Sequence, residues 1–105
     1  MTVVDAIGID RISGAVKLSI IDHWDWKDNE YIHLVALQEK VNAYFAFVED
    51  GDIHLEYPKS RGRSVEIDII SRIQYPKIAL DFVEIATRIG LEINVKVNYS
   101  TLENF

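Results

Sequence analysis

Val65-Glu66-Ile67-Asp68-Ile69-Ile70, then Pro76 and a helical run over 77–89, then Gly90 and Leu91-Glu92-Ile93-Asn94-Val95-Lys96-Val97-Asn98: this stretch decides the fold. Val65, Ile67 and Ile69 alternate with Glu66 and Asp68, the period of a strand with one apolar and one polar face. Pro76 fits the first turn of a helix, where its missing N–H is not needed. Over 77–89, Ile78, Ala79, Phe82, Val83, Ile85, Ala86 and Ile89 make one broad apolar stripe at helical spacing. Gly90 is expected at C′, closing that helix. Leu91, Ile93, Val95 and Val97 then alternate with polar residues in a final strand. A strand, a helix and a strand in succession form a crossover, right-handed where the strands are parallel.

The upstream half extends this pattern. Val3–Ile9 and Val16–Ile21 are two apolar runs separated by Asp10-Arg11-Ile12-Ser13-Gly14, which has turn chemistry, so residues 1–22 read as a hairpin. Asp5 shares a face with Val3 and Ile7, which marks that strand as an edge or a bulged one. From Asp28 to Glu49 there is neither Gly nor Pro, and a long helix is expected, with Asp25 or Asp28 as N-cap and Gly51 at C′. Ile53–Tyr57 alternates and stops at Pro58, a short strand that would pair with 65–70. The order is β-β-α-(β)-β-α-β. Because three strands keep one polar face, that face meets water and both helices cover the other. The fold class is α+β, a two-layer sandwich of a mixed sheet with two helices on one face. Residues 1–98 are expected to form a single domain and 99–105 a C-terminal tail.

Composition bounds the function. The chain has 105 residues and no cysteine, which removes disulfides, thiolate metal sites and a cysteine nucleophile. Its net charge of −6 argues against nucleic acid and against an acidic membrane surface as partner. No apolar run approaches the roughly 20 residues of a membrane span. The first residues lack the basic and apolar regions of a signal peptide, so a cytoplasmic protein is expected. Residues 1–50 hold nine acids and four bases, whereas 51–105 hold eight and seven, so the acidity concentrates in the first half.

The long helix has more apolar surface than a sheet requires. At 100° steps, Leu34, Leu37, Val41, Tyr44, Phe45 and Val48 fall on one arc. Ile32, Val35, Ala36, Ala43, Ala46 and Phe47 fall on a second, nearly opposite arc. Either helix 77–89 packs on the second arc, or part of it is a partner surface. In the latter case Ile32, Ala36, Ala43 and Phe47 are the contact candidates, with Phe47 as anchor.

Two polar clusters are candidates for chemistry. Asp22-His23-Trp24-Asp25-Trp26-Lys27-Asp28 links the second strand to the long helix, a junction where loops are held by rigid elements. Asp22, His23 and Asp25, with or without His54, could bind a hard divalent cation or move a proton. The structural alternative is that these acids cap the helix and the tryptophans close the core. Lys59, Arg61 and Arg63 around Gly62 form the one basic cluster, which could take an anion or simply be solvated. No nucleophile elbow, P-loop or other catalytic signature is present, and no cofactor is implied.

Asp22-His23-Trp24-Asp25-Trp26, Leu37-Gln38-Glu39-Lys40-Val41-Asn42-Ala43-Tyr44, Glu49-Asp50-Gly51-Asp52-Ile53, Tyr57-Pro58 and Gly62-Arg63 together resemble a family of small bacterial proteins of unknown function, over most of residues 4–97. The resemblance implies a bacterial, stand-alone cytoplasmic protein. It brings no activity, cofactor or catalytic residue, and directs attention to the Asp22–Trp26 junction and the Gln38–Asn42 seam. The first expectation is therefore a non-enzymatic protein-interaction module, either a homodimer or the partner of another bacterial protein. One version, by analogy alone, is an acidic protein that neutralises a basic one, as immunity proteins do. The alternative is a small-ligand or metal site at the Asp22–Asp28 junction.

Overall fold

A computed structural model describes residues 4–102. The chain runs β1 (Ala6–Ile9), β2 (Val16–Asp22), α1 (Glu30–Glu49), α2 (Asp52–Glu56), a 3-10 turn (Pro58–Ser60), β3 (Val65–Ser71), α3 (Lys77–Glu92) and β4 (Val95–Thr101). The sheet order is β1-β2-β3-β4. β1 is antiparallel to β2, and β2, β3 and β4 are parallel. This is the mixed α+β sheet the alternation implies.

Alternation decides the layers. Along β2 and β3 every second residue is buried and the intervening ones are half-buried. The buried set Val16, Leu18, Ile20, Val65, Ile67, Ile69, Val95 and Val97 joins α1 and α3 residues in one core. The opposite face carries Lys17, Glu66, Asp68 and Asn98. There Asn98 Nδ2 donates to Glu66 Oε1 (2.9 Å) and Asp68 Oδ1 (2.8 Å), and Lys17 Nζ lies 3.6 to 3.8 Å from Glu66, Asp68 and Asp10. Asp68 first, then Glu66 and Asp10, outweigh the effect of burial and raise the Lys17 amine above its ordinary range.

Three expectations need correction. Gly90 does not end α3, which continues to Glu92. A Cβ at Gly90 would lie 2.4 Å from the carbonyl oxygen of Val95, so the glycine is there for close approach of helix and strand. The turn falls later, where Asn94 takes φ 60°, a left-handed conformation that Asn tolerates. β4 consequently starts at Val95 rather than Leu91. It runs through Thr101, so residues 99–101 belong to the sheet and not to a tail. Finally, 53–57 is not a strand. Gly51, at φ 80°, sits just past the C-cap of α1, as expected of a C′ residue, and turns the chain directly into α2. Five alternating residues are too few to separate a strand from one helical turn.

The start of α1 also differs from expectation. Asn29, not Asp25 or Asp28, is the N-cap, with φ 58° and its side chain accepting from the Ile32 N–H at 3.4 Å. Asp25 instead accepts from the Lys27 N–H in a local turn. β1 is an edge of the sheet, one of the two readings that Asp5 allowed, and no bulge is needed for Asp5. Asp5 lies just before β1, where its carboxylate accepts from Ile21 N (2.9 Å) and Lys40 Nζ (2.7 Å). Its own N–H donates to Tyr44 Oη (2.9 Å), which donates in turn to the Ser19 carbonyl (2.9 Å). One residue thereby ties β1, β2 and α1 together.

Candidate functional site

The three parallel strands end in one row, since Asp22 pairs with Ser71 and Ser71 with Thr101. All three are buried polar residues. The carboxyl ends of parallel strands are where open sheets of this kind usually place ligands. The loops leaving β2 and β3 for the two long helices also start there.

Asp22 is the hub of this end. Its Oδ1 accepts from the Trp24 N–H (2.9 Å), and its Oδ2 accepts from Tyr75 Oη (2.6 Å) and Trp26 Nε1 (3.3 Å). A buried carboxylate costs several kcal/mol unless it is hydrogen-bonded, and three neutral donors meet that need. Burial first, and then the Asp22 carboxylate that it faces, push the Tyr75 hydroxyl far above the ordinary tyrosine range. Tyr75 therefore remains a donor throughout the working pH range. Its ring stacks on Tyr99 at 4.8 Å, and its N–H donates to Tyr99 Oη (3.0 Å). The Ser71 hydroxyl gives its one proton to the Ile73 carbonyl (2.6 Å), so at 3.1 Å Tyr99 Oη is the donor to Ser71. The tryptophans flank His33, with ring centroids at 4.7 Å for Trp24 and 5.7 Å for Trp26.

The sequence-derived candidates separate on this frame. His23 is exposed, and its carbonyl accepts from Arg72 Nε (3.1 Å). Asp25 is exposed and engaged in its own turn. His54 lies on α2, beyond the far end of α1, with Nδ1 2.7 Å from Ser60 Oγ. Twenty helical residues span about 30 Å, so His54 cannot join Asp22. Among the described residues no group of three or more His, Asp or Glu side chains could hold a metal ion. The expected convergence of Asp22, His23 and Asp25 on one cation is thus not formed, because both oxygens of Asp22 are taken by the fold.

The basic loop resolves differently. Arg63 is a tie: its Nε donates to the Lys59 carbonyl (3.0 Å) and its Nη1 to the Gly14 carbonyl (3.0 Å). It fastens this loop to the β1–β2 turn. Lys59 and Arg61 are exposed and remain the basic residues open to an anion there.

Of the four α1 contact candidates, Phe47 is 3% exposed and belongs to the core, which removes it as a surface anchor. Beside it lie Val4, Ile7 and Tyr57. At Phe47 the second arc of α1 thus meets β1 and the α2 segment, while Ala46 beside it is exposed. Ala43 is half-buried and Ile32 exposed. Ala36 lines a cavity of about 220 Å³ between α1 and the end of β2, together with Asp22, His23, Trp24, Leu37 and Lys40.

The sequence did not reveal the partners of Asp22. Tyr75 reads as half of a Tyr-Pro turn, and Tyr99 falls in the expected tail. A buried carboxylate at a strand end demands donors, and that demand was the one available signal. The sequence also missed the division of the α3 stripe. Ala79, Val83, Ala86 and Gly90 face the sheet and are buried. Ile78, Ile85 and Ile89 are 38%, 47% and 44% exposed, with Phe82 half-buried among them.

An open four-stranded mixed sheet with its helices packed on one face defines a small α+β domain. The chain belongs to the family of unknown function DUF6572, whose model matches residues 1–103. No curated protein and no solved structure matches it. No helix of the described residues is long and apolar enough to cross a membrane.

Proposed function

We propose that this protein works by binding another protein chain through the outer face of α3, as a non-enzymatic interaction module. One observation carries the reading. Ile78, Phe82, Ile85 and Ile89 recur at spacings of four, three and four on a helix whose sheet-facing side is already complete. That spacing is the seam by which one helix receives another. Isolated exposed apolar residues are ordinary, whereas four in one stripe mark a contact surface. The test is a photo-reactive amino acid at position 85, in cells that make the protein, with the same probe at Lys96 on the open sheet face as control. A discrete adduct at 85 that Ile89→Glu abolishes is expected. Equal, diffuse labelling from both positions overturns the reading.

A second reading rests on the cavity beside Trp24. Its apolar floor, the Trp24 ring and Lys40 suit a small ring-bearing acid rather than a metal ion. Saturable line broadening of benzoate in the presence of the protein, lost in Trp24→Ala, would support it. Unperturbed benzoate spectra would end it.

A further inference from the structure

The charges beside the α3 stripe have an order that selects a partner. Lys77, Asp81, Arg88 and Glu92 lie along one flank of the stripe, since they fall within about 60° of one another at 100° per residue. The other flank is the buried side of Ala79, Val83, Ala86 and Gly90. Read from the N-terminus, the flank runs plus, minus, plus, minus. Read from the C-terminus, it runs minus, plus, minus, plus. The apolar residues are palindromic too, because Ile78 and Ile89, and Phe82 and Ile85, are equidistant from the same midpoint.

We infer that the partner of this face is a second copy of the chain, its α3 antiparallel to the first across a two-fold axis near Val83 and Glu84. The inference rests on the interaction reading above and names its partner. In that arrangement Ile78 packs near Ile89 of the partner subunit, and Phe82 near the partner's Ile85. Asp81 comes opposite the partner's Arg88, and Lys77 opposite the partner's Glu92, each pair offset along the axis by about 3 Å, within side-chain reach. The axis repeats both pairs, giving four. A self-complementary patch of this kind is what an isologous dimer requires. A parallel pairing would instead set this flank against the partner's sheet-facing side, where these charges find no complement. Within one protomer Lys77 already reaches Asp81 at 2.9 Å, whereas Arg88 and Glu92 have no ion-pair partner among the described residues. A 16-residue helix is only about 24 Å long, so the contact sits at the small end of specific interfaces.

Sedimentation equilibrium of the purified full chain tests this, with far-UV circular dichroism as the folding control. A concentration-dependent dimer is expected, weakened about tenfold or more by Asp81→Arg or by Arg88→Asp, and restored in the double variant. Ile85→Glu should leave a folded monomer. A chain that stays monomeric up to about 1 mM, or a dimer indifferent to all three substitutions, overturns the self-pairing. The interaction reading fails separately. If the photo-probe at position 85 captures a different protein in cells while the purified chain is monomeric, only the choice of partner is wrong. If it captures nothing discrete, both fall.

Discussion

α1 and α3 cover the same sheet face, yet they divide their apolar residues in opposite ways. α1 carries apolar residues on two sides and buries the large ones in its middle and end: Leu34, Leu37, Val41, Tyr44 and Phe45 on the first side, and Phe47 on the second beside β1 and α2, with Ile32 and Ala46 left exposed there. α3 carries one broad stripe and buries its small half, Ala79, Val83, Ala86 and Gly90, leaving the isoleucines outside. On the helix with apparent excess surface, the bulkiest residue of that excess, Phe47, is partnered within its own chain. The helix with an apparently ordinary stripe is the one with surface to spare. Apolar content therefore does not identify a binding face. The number of neighbours the topology supplies does, and α1, between α3 and α2, has more of them.

Cutting into each helix should sharpen that contrast. Phe47→Ala empties part of the core and should cost about 3 to 5 kcal/mol, read from urea denaturation. A loss below about 1 kcal/mol would return Phe47 to the surface and break the comparison. Gly90→Ala, on the inner side of α3, drives a methyl into the Val95 carbonyl and should destabilise by about 1 to 3 kcal/mol despite alanine's better helix propensity. Tyr75→Phe comes next. Tyr75 precedes α3 and Asp22 precedes α1, so their hydrogen bond staples the two entry loops together. Losing it should cost about 1 to 2 kcal/mol, because the bond is to a buried carboxylate. Ile85→Ala, on the outer side of α3, should change monomer stability by no more than about 0.5 kcal/mol, measured at a concentration below dimer formation.

The smallest effect is a pH dependence at the α1 tether. Burial would raise the Asp5 carboxyl, but the hydrogen bond from Lys40, that from the Ile21 N–H and the Lys40 charge together hold it below the ordinary aspartate range. A carboxylate depressed in the folded state stabilises above its unfolded pKa, near 3.9, and loses that contribution as pH falls through the lower folded value. Asp5→Asn should therefore be slightly less stable than the parent at pH 7 and converge with it near pH 2. A gap that persists unchanged at pH 2 would refute the assignment.

Much of the fold was legible because alternation in β2 and β3 is strict and long enough to fix both period and face. Helix ends were less so. Gly90 carries the usual stop signal, and only the neighbouring strand shows that the same missing Cβ serves close packing. Leu91-Glu92-Ile93-Asn94 alternates by coincidence with the true strand that follows, which moved the boundary four residues. At the candidate site, Asp22 was legible as important but not as satisfied, since two of its three donors, on Trp26 and Tyr75, come from side chains placed only by the tertiary fold. The exposed stripe on α3 was invisible for the same reason. Residues 78 and 79 look alike in a periodicity plot, and the sheet decides which of them it covers.

Trp24 and Trp26 are the only tryptophans in the chain, and both rings lie against His33 at the start of α1. The intrinsic fluorescence of this protein is consequently a lamp fixed at one corner of the molecule. Occupancy of the cavity that Trp24 lines would shift it directly. Contact along the distant half of α3, around Ile89, would leave it nearly unchanged. A single cuvette can thus tell which of the two surfaces a given partner has found.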